Sequence, residues 1–193
     1  MLWDRHIKHR VSDIRFYYDL FRGSPNTAFT AGSIFQLWVR ELLRRGGPFR
    51  IFPIRGHCAT TNFVYNDYTA SNERRDQRDL ELPGSGEHLF VEGDKFCVGQ
   101  YFIDHPDVDA GASPPILLTF HITRNKEYDL DVEDLRRING LNFSPHSNIC
   151  KYLVVVTPDD IHPEIRVPKT FFEGEEEAPE DLFSMFHYPV SMK

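Results

Sequence analysis

At 193 residues the chain has room for one domain with a sizeable core, and 40% hydrophobic with 26% charged residues are ordinary globular values that exclude a low-complexity chain. No apolar run approaches the roughly 20 residues that span a bilayer, and the start MLWDRHIKHR lacks the apolar segment of a secretory signal. A soluble intracellular protein, cytoplasmic or nuclear and without a membrane partner, is expected.

The net charge of −7 hides an asymmetry: residues 1–60 carry 10 Lys+Arg against 4 Asp+Glu, whereas 61–193 carry 12 against 25. An acidic whole repels phosphate backbones at long range, so contact with nucleic acid has to fall on the basic N-terminal part.

In chain order, Trp3, Ile7, Val11, Ile14, Tyr18 and Phe21 recur at spacings of three or four, which predicts an N-terminal amphipathic helix over 1–23 that packs on the core. A second helix is predicted over Ala31–Arg45. Thr30 can cap it, Arg44 and Arg45 suit the negative end of its dipole, and Gly46-Gly47 allow the turn that stops it. Its apolar positions, Ile34 through Leu43, cover most of the circumference, as in a centrally buried helix.

FRIFPI (49–54) reads as a short strand, with Pro53 pointing to an edge or a bulge. Residues 66–88 are polar and turn-rich, an exposed excursion. Strand character returns at 95–103 and 115–123, spaced as a hairpin around DHPDVDAGASP. LDVEDLRRINGL then reads as a helix capped by Asp131 and stopped by Gly140. KYLVVVTPDD is a buried strand, 173–181 an acidic loop, and LFSMFHYPV (182–190) a closing strand ended by Pro189.

The order describes a single α/β domain over 1–193, with a mixed sheet flanked by helices. Cys58, Cys97 and Cys150 are far apart and odd in number, which suggests reduced thiols and neither a disulfide framework nor a thiolate zinc site.

Three stretches bear on chemistry. In AGSIFQLWVR, Gln36 stands on the second helix one turn before Arg40. In IDHPDVD, Asp104, Asp107 and Asp109 with His105 form either an oxygen-rich cradle for a divalent ion or a turn that merely favours Asp and Pro. In ILLTFHIT, alternation puts Thr119, His121 and Thr123 on one face of the strand, pointing either into a cleft beside Asp109 or into water.

Together with the Gly-Gly turn and the strands KYLVVV and FHYPV, these stretches resemble the endonuclease-like C-terminal domains of fungal Crinkler-type and retrotransposon-hot-spot-type proteins, over about residues 15–190. The resemblance implies a restriction-endonuclease-like fold. It puts Gln36 in the place of a helix glutamate, Asp109 (or Asp107) in that of the metal-binding aspartate, and His121 with Thr123 in that of a Gln-x-Thr pair.

Two of these are departures. A neutral amide binds Mg²⁺ far less well than a carboxylate, and an imidazole is a poor Mg²⁺ ligand. Glu41 is no direct substitute, since five residues at about 100° each put it about 140° around the helix from Gln36.

The expectation is therefore a catalytically degenerate, effector-like module with no cofactor, binding nucleic acid through the basic helix and Arg40, Arg44 and Arg45, or binding protein. The alternative is an active Mg²⁺-dependent nuclease with Asp107 or Asp109 holding the ion and His121, an imidazole of ordinary pKa about 6.5, as general base. A third reading is a protein-interaction or effector domain with no nucleic-acid contact.

Overall fold

Apolar residues four apart decide how the helical layer sits. In helix α1 (Val11–Arg22), Tyr18 is buried and Ile14 and Phe21 are half-buried along the inward stripe. In helix α2 (Ala28–Arg45), Ala31, Phe35, Val39 and Leu43 form a single buried line. A 3-10 turn, Pro25–Thr27, links the two helices. The computed structural model describes residues 11–67, 78–82, 91–92, 96–101, 116–139, 150–169 and 184–191.

Among the described residues, eleven strands form two sheets. They are β1 (Gly47–Pro53), β2 (Arg55–Cys58), β3 (Asn62–Asp67), β4 (Arg78–Leu82), β5 (Val91–Glu92), β6 (Phe96–Tyr101), β7 (Ile116–Ile122), β8 (Glu127–Asp129), β9 (Cys150–Pro158), β10 (Glu164–Pro168) and β11 (Ser184–Val190). The larger sheet has seven strands in the order β4-β1-β11-β9-β7-β6-β5, and the smaller has four in the order β2-β3-β10-β8. At the centre of the larger sheet β7, β9 and β11 run parallel, while β1, β4, β5 and β6 pair antiparallel.

The central strands are apolar on both faces because both faces are covered. Ile116, Leu118, Phe120 and Ile122 of β7, with Tyr152, Val154 and Val156 of β9, join Phe35, Val39 and Tyr18 in one core beneath the helices. Leu153 and Val155, pointing the other way, join Met185, Tyr65, Ile165, Val167 and Leu135 in a second core, shared with the smaller sheet and helix α3 (Val132–Asn139). The protein is a mixed α/β structure of three layers: helices, a mixed sheet, and a second mixed sheet.

Several expectations are corrected. Helix α2 starts at Ala28, not Ala31, so Thr30 lies inside it; Thr27 precedes it, and its hydroxyl donates to the Phe21 carbonyl at 2.7 Å instead of capping. The helix is not buried all round, because only one face meets the sheet and Leu37 on the other is exposed. Strand β1 is interior, flanked by β4 and β11, with Pro53 at its end where a missing N–H costs little. The polar stretch 66–88 contains β4, whose Leu80 is buried opposite Phe49. Strand β11 runs through Pro189 to Val190 and fills the middle of the sheet.

Other expectations hold. Strands β6 and β7 pair antiparallel from Phe96↔His121 to Tyr101↔Ile116. Asp131 Oδ1 accepts the Glu133 N–H at 2.8 Å at the start of α3. Helix α2 ends at Gly46, with φ of 68°. Trp3, Ile7, the segment Asp104–Asp109, Gly140 and the acidic loop 173–181 lie outside the described residues.

Candidate functional site

The parallel register aligns His121 of β7 and His187 of β11 with Val155 of β9, which lies between them. All three project from the face that meets the smaller sheet, with His121 near the carboxyl end of β7 and His187 in the middle of β11. Thr123 and Thr157 stand beyond them at the strand ends. This is the largest gathering of buried polar side chains among the described residues: Thr119, His121, Thr123, Thr157 and His187.

His121, Thr123, Thr157 and His187 each have a structural setting. The His121 ring is 3% exposed and packs on Tyr128 of β8 with ring centroids 4.1 Å apart. Thr123 Oγ1 accepts the Asn125 N–H at 3.1 Å, and the Thr123 N–H donates to the Val156 carbonyl at 3.0 Å. Thr157 is 0% exposed, and its Oγ1 lies 3.0 Å from the carbonyls of both Pro158 and Ile161 and 2.8 Å from His187 Nε2.

Carbonyls only accept. The arrangement that makes every one of these contacts a hydrogen bond therefore has the single Thr157 hydroxyl proton shared between the two carbonyls and the Nε2–H of a neutral His187 donating to Thr157. Burial pushes the His187 imidazole down to about 4, and His162, its ring 6.1 Å away, adds to the shift.

Hydroxyl and imidazole at 2.8 Å match the spacing of a nucleophile and its base. Yet a fully buried Thr157 beside a 2%-exposed His187 gives a substrate no approach. The pair instead satisfies the turn that follows β9.

The residues expected to act together are divided. Half-buried Gln36 lies beside Phe35 on α2, over the face built by Ile116, Leu118 and Phe120. His121 projects from the opposite face, so the central sheet stands between them. The row Thr119, His121 and Thr123 points neither into open water nor beside Gln36, because the smaller sheet covers it. Asp107 and Asp109 lie outside the described residues. No three His, Cys, Asp or Glu side chains among the described residues are grouped to hold a metal.

The basic residues of α2 differ among themselves. Arg40 is half-buried, while Arg44 and Arg45 are exposed at the carboxyl end of the helix. Arg45 Nε donates to Glu41 Oε1 at 3.0 Å. At the other end of the helical layer, the Arg124 and Arg22 guanidinium carbons lie 5.1 and 5.8 Å from the Tyr18 ring centroid. Arg124 Nη1 donates to the Ala28 carbonyl at 3.1 Å, and Arg22 reaches Asp160 at 3.6 Å, which ties both helices to the strand ends. Burial raises the Tyr18 pKa, with Arg124 opposing it.

Comparison with protein-family models, curated proteins and solved structures finds no match to this chain. Its function therefore has to be argued from the geometry. Among the described residues no helix is long and apolar enough to cross a membrane.

Sequence reasoning missed Thr157, His187 and His162. The signal was there in part: one histidine in the apolar run SMFHYPV, and one threonine closing VVVTP. In a strand buried on both faces, such residues mark the row where polar groups have found partners inside.

Proposed function

We propose that this protein is a catalytically silent, restriction-endonuclease-like module that works by binding nucleic acid. The observation that carries the reading is the enclosure of His121, 3% exposed against Tyr128 and across the sheet from Gln36. A group in that position cannot reach a scissile phosphate, and Gln36 brings no charge to hold a metal there. Arg44 and Arg45, exposed together on α2 in the basic N-terminal part of the sequence, are the cations that would meet a phosphate backbone, with Arg40 half-buried one turn earlier.

The test combines cleavage and binding. Incubation with Mg²⁺ or Mn²⁺ is expected to leave DNA and RNA intact. Mobility shifts at low salt are expected to show binding that weakens steeply as salt rises and is reduced by Arg44→Ala with Arg45→Ala. Cleavage that Asp109→Ala abolishes would overturn the reading. Intact nucleic acid with no shift at low salt would move the function to a protein partner, a reading favoured by the aromatic side chains on the outer surface of the helices.

A further inference from the structure

Helix α1 has an inward stripe, but its outward side is not polar. Phe16 and Leu20, four residues apart and on one line of the helix, are 62% and 57% exposed. Tyr17 is exposed beside them, its ring edge-on to Phe16 at 5.5 Å. On α2, Phe29 is 87% exposed and Leu37 is also exposed. At about 150–250 Å² per large side chain, the exposed fractions of Phe16, Tyr17 and Leu20 on α1 amount to roughly 300 Å². That is within the range of the largest patch on a typical monomer, about 300–600 Å². The flanking charged residues would supply much of the rest of the roughly 800 Å² per partner in a standard interface.

The charges beside this seam indicate what covers it. Along α1 they are Asp13, Arg15, Asp19 and Arg22, which sum to zero. Arg15 lies 3.7 Å and Arg22 3.1 Å from Asp19. With these charges summing to zero, the face offers a phosphate backbone no net attraction, so nucleic acid is its poorer occupant.

The pattern complements itself when turned end for end. Two copies of α1 crossing antiparallel about a two-fold axis near residues 17 and 18 bring Phe16 of one against Leu20 of the other. Arg15 and Asp19 share one flank of the helix, and in this arrangement Arg15 of each copy faces Asp19 of the other. A contact of this kind makes every pair twice.

We propose that the protein self-associates as a two-fold dimer through the outward seam of α1, Phe16 and Leu20, flanked by reciprocal Arg15–Asp19 pairs. This holds independently of the nucleic-acid reading, which rests on α2.

Sedimentation equilibrium of the full chain across the micromolar range tests it. The wild type is expected to be a dimer, and Leu20→Glu to weaken association by at least about tenfold. The far-UV circular dichroism should stay unchanged, since Leu20 is outside the core, and the melting temperature should fall only at concentrations where the wild type is dimeric. Arg15→Asp alone and Asp19→Arg alone each set like charges across the axis and are expected to stay monomeric. Mixed one to one, they are expected to form a heterodimer. Both single variants have lost the pair within the helix, so rescue on mixing arises only between chains. A wild type that remains monomeric, a dimer indifferent to Leu20→Glu, or variants that do not combine would each overturn the proposal. So would a monomer that binds a labelled oligonucleotide and loses it on Leu20→Glu.

Discussion

Thr157 Oγ1 and His187 Nε2 lie 2.8 Å apart on neighbouring parallel strands, both buried between two sheets. The pairing holds a neutral imidazole in a place where its charged form is penalised. The folded pKa of His187 is about 4, below the 6.5 of a free imidazole, so between those values the unfolded chain binds more protons than the folded one. Stability is complete above pH 6.5 and is lost as pH falls toward 4. The loss attributable to this group is about 3 kcal/mol, since each tenfold drop in proton affinity corresponds to about 1.4 kcal/mol. Denaturant melts from pH 7 to pH 4 should show the decline, and His187→Gln should flatten it. An unchanged pH dependence in that variant would show that another group governs the decline.

Thr157→Val keeps the shape of the side chain and deletes the hydroxyl. The His187 Nε2–H and the carbonyls of Pro158 and Ile161 lose a partner inside the protein. The expected cost is about 1–3 kcal/mol, read as a lower chemical-denaturation midpoint with an unchanged slope. Thr157→Ser, which keeps the oxygen and drops one methyl, should cost about 0.8 kcal/mol.

The two sides of α2 should respond very differently to truncation. Phe35 is fully buried and faces Tyr18, with ring centroids 6.1 Å apart. Phe35→Ala is expected to cost about 3–5 kcal/mol. Leu37→Ala, two residues along on the exposed side, should stay within about 0.5 kcal/mol. Similar costs at both positions in thermal or denaturant melts would contradict the one-sided burial of the helix.

Gly46 ends α2 with φ of 68° and ψ of −161°, a combination essentially confined to glycine. Its N–H donates to the Leu43 carbonyl at 3.3 Å, so the chain leaves the helix and enters β1 through this one residue. Gly46→Ala is expected to cost about 1–3 kcal/mol and to lower the melting temperature accordingly. A stabilised variant would show that the turn tolerates a side chain.

Much of the secondary structure could be read from local pattern. Helix α2 shows in its stop signals, α3 in Asp131, and β7 and β9 in their apolar runs. What escaped depends on partners far along the chain. Strands β2 and β8 are short and carry little buried surface, and β10 alternates, with Ile165 and Val167 inward, over only five residues, so the local pattern is too brief to mark them. They are strands because Ile165 aligns with Tyr65 on one side and Tyr128 on the other, pairings between distant parts of the sequence. The second sheet was therefore invisible, and with it the reason His121 is buried. Alternation correctly grouped Thr119, His121 and Thr123 on one face; what covers that face is a tertiary fact. The sequence signal for α2 also overstated its burial. Apolar residues around the whole helix read as a central position, whereas Leu37 meets no core.

The strand order carries a consequence for how the chain acquires its shape. Strand β11, residues 184–190, joins the β4-β1 pair to the β9-β7-β6-β5 group, and β10 likewise links β3 to β8. Each early hairpin is an unfinished edge until a late segment arrives to bridge it, which sets a high contact order and slow assembly. A polypeptide emerging from the ribosome would carry two half-sheets with open backbone edges until residues 184–190 had followed, and in that interval it would depend most on chaperones.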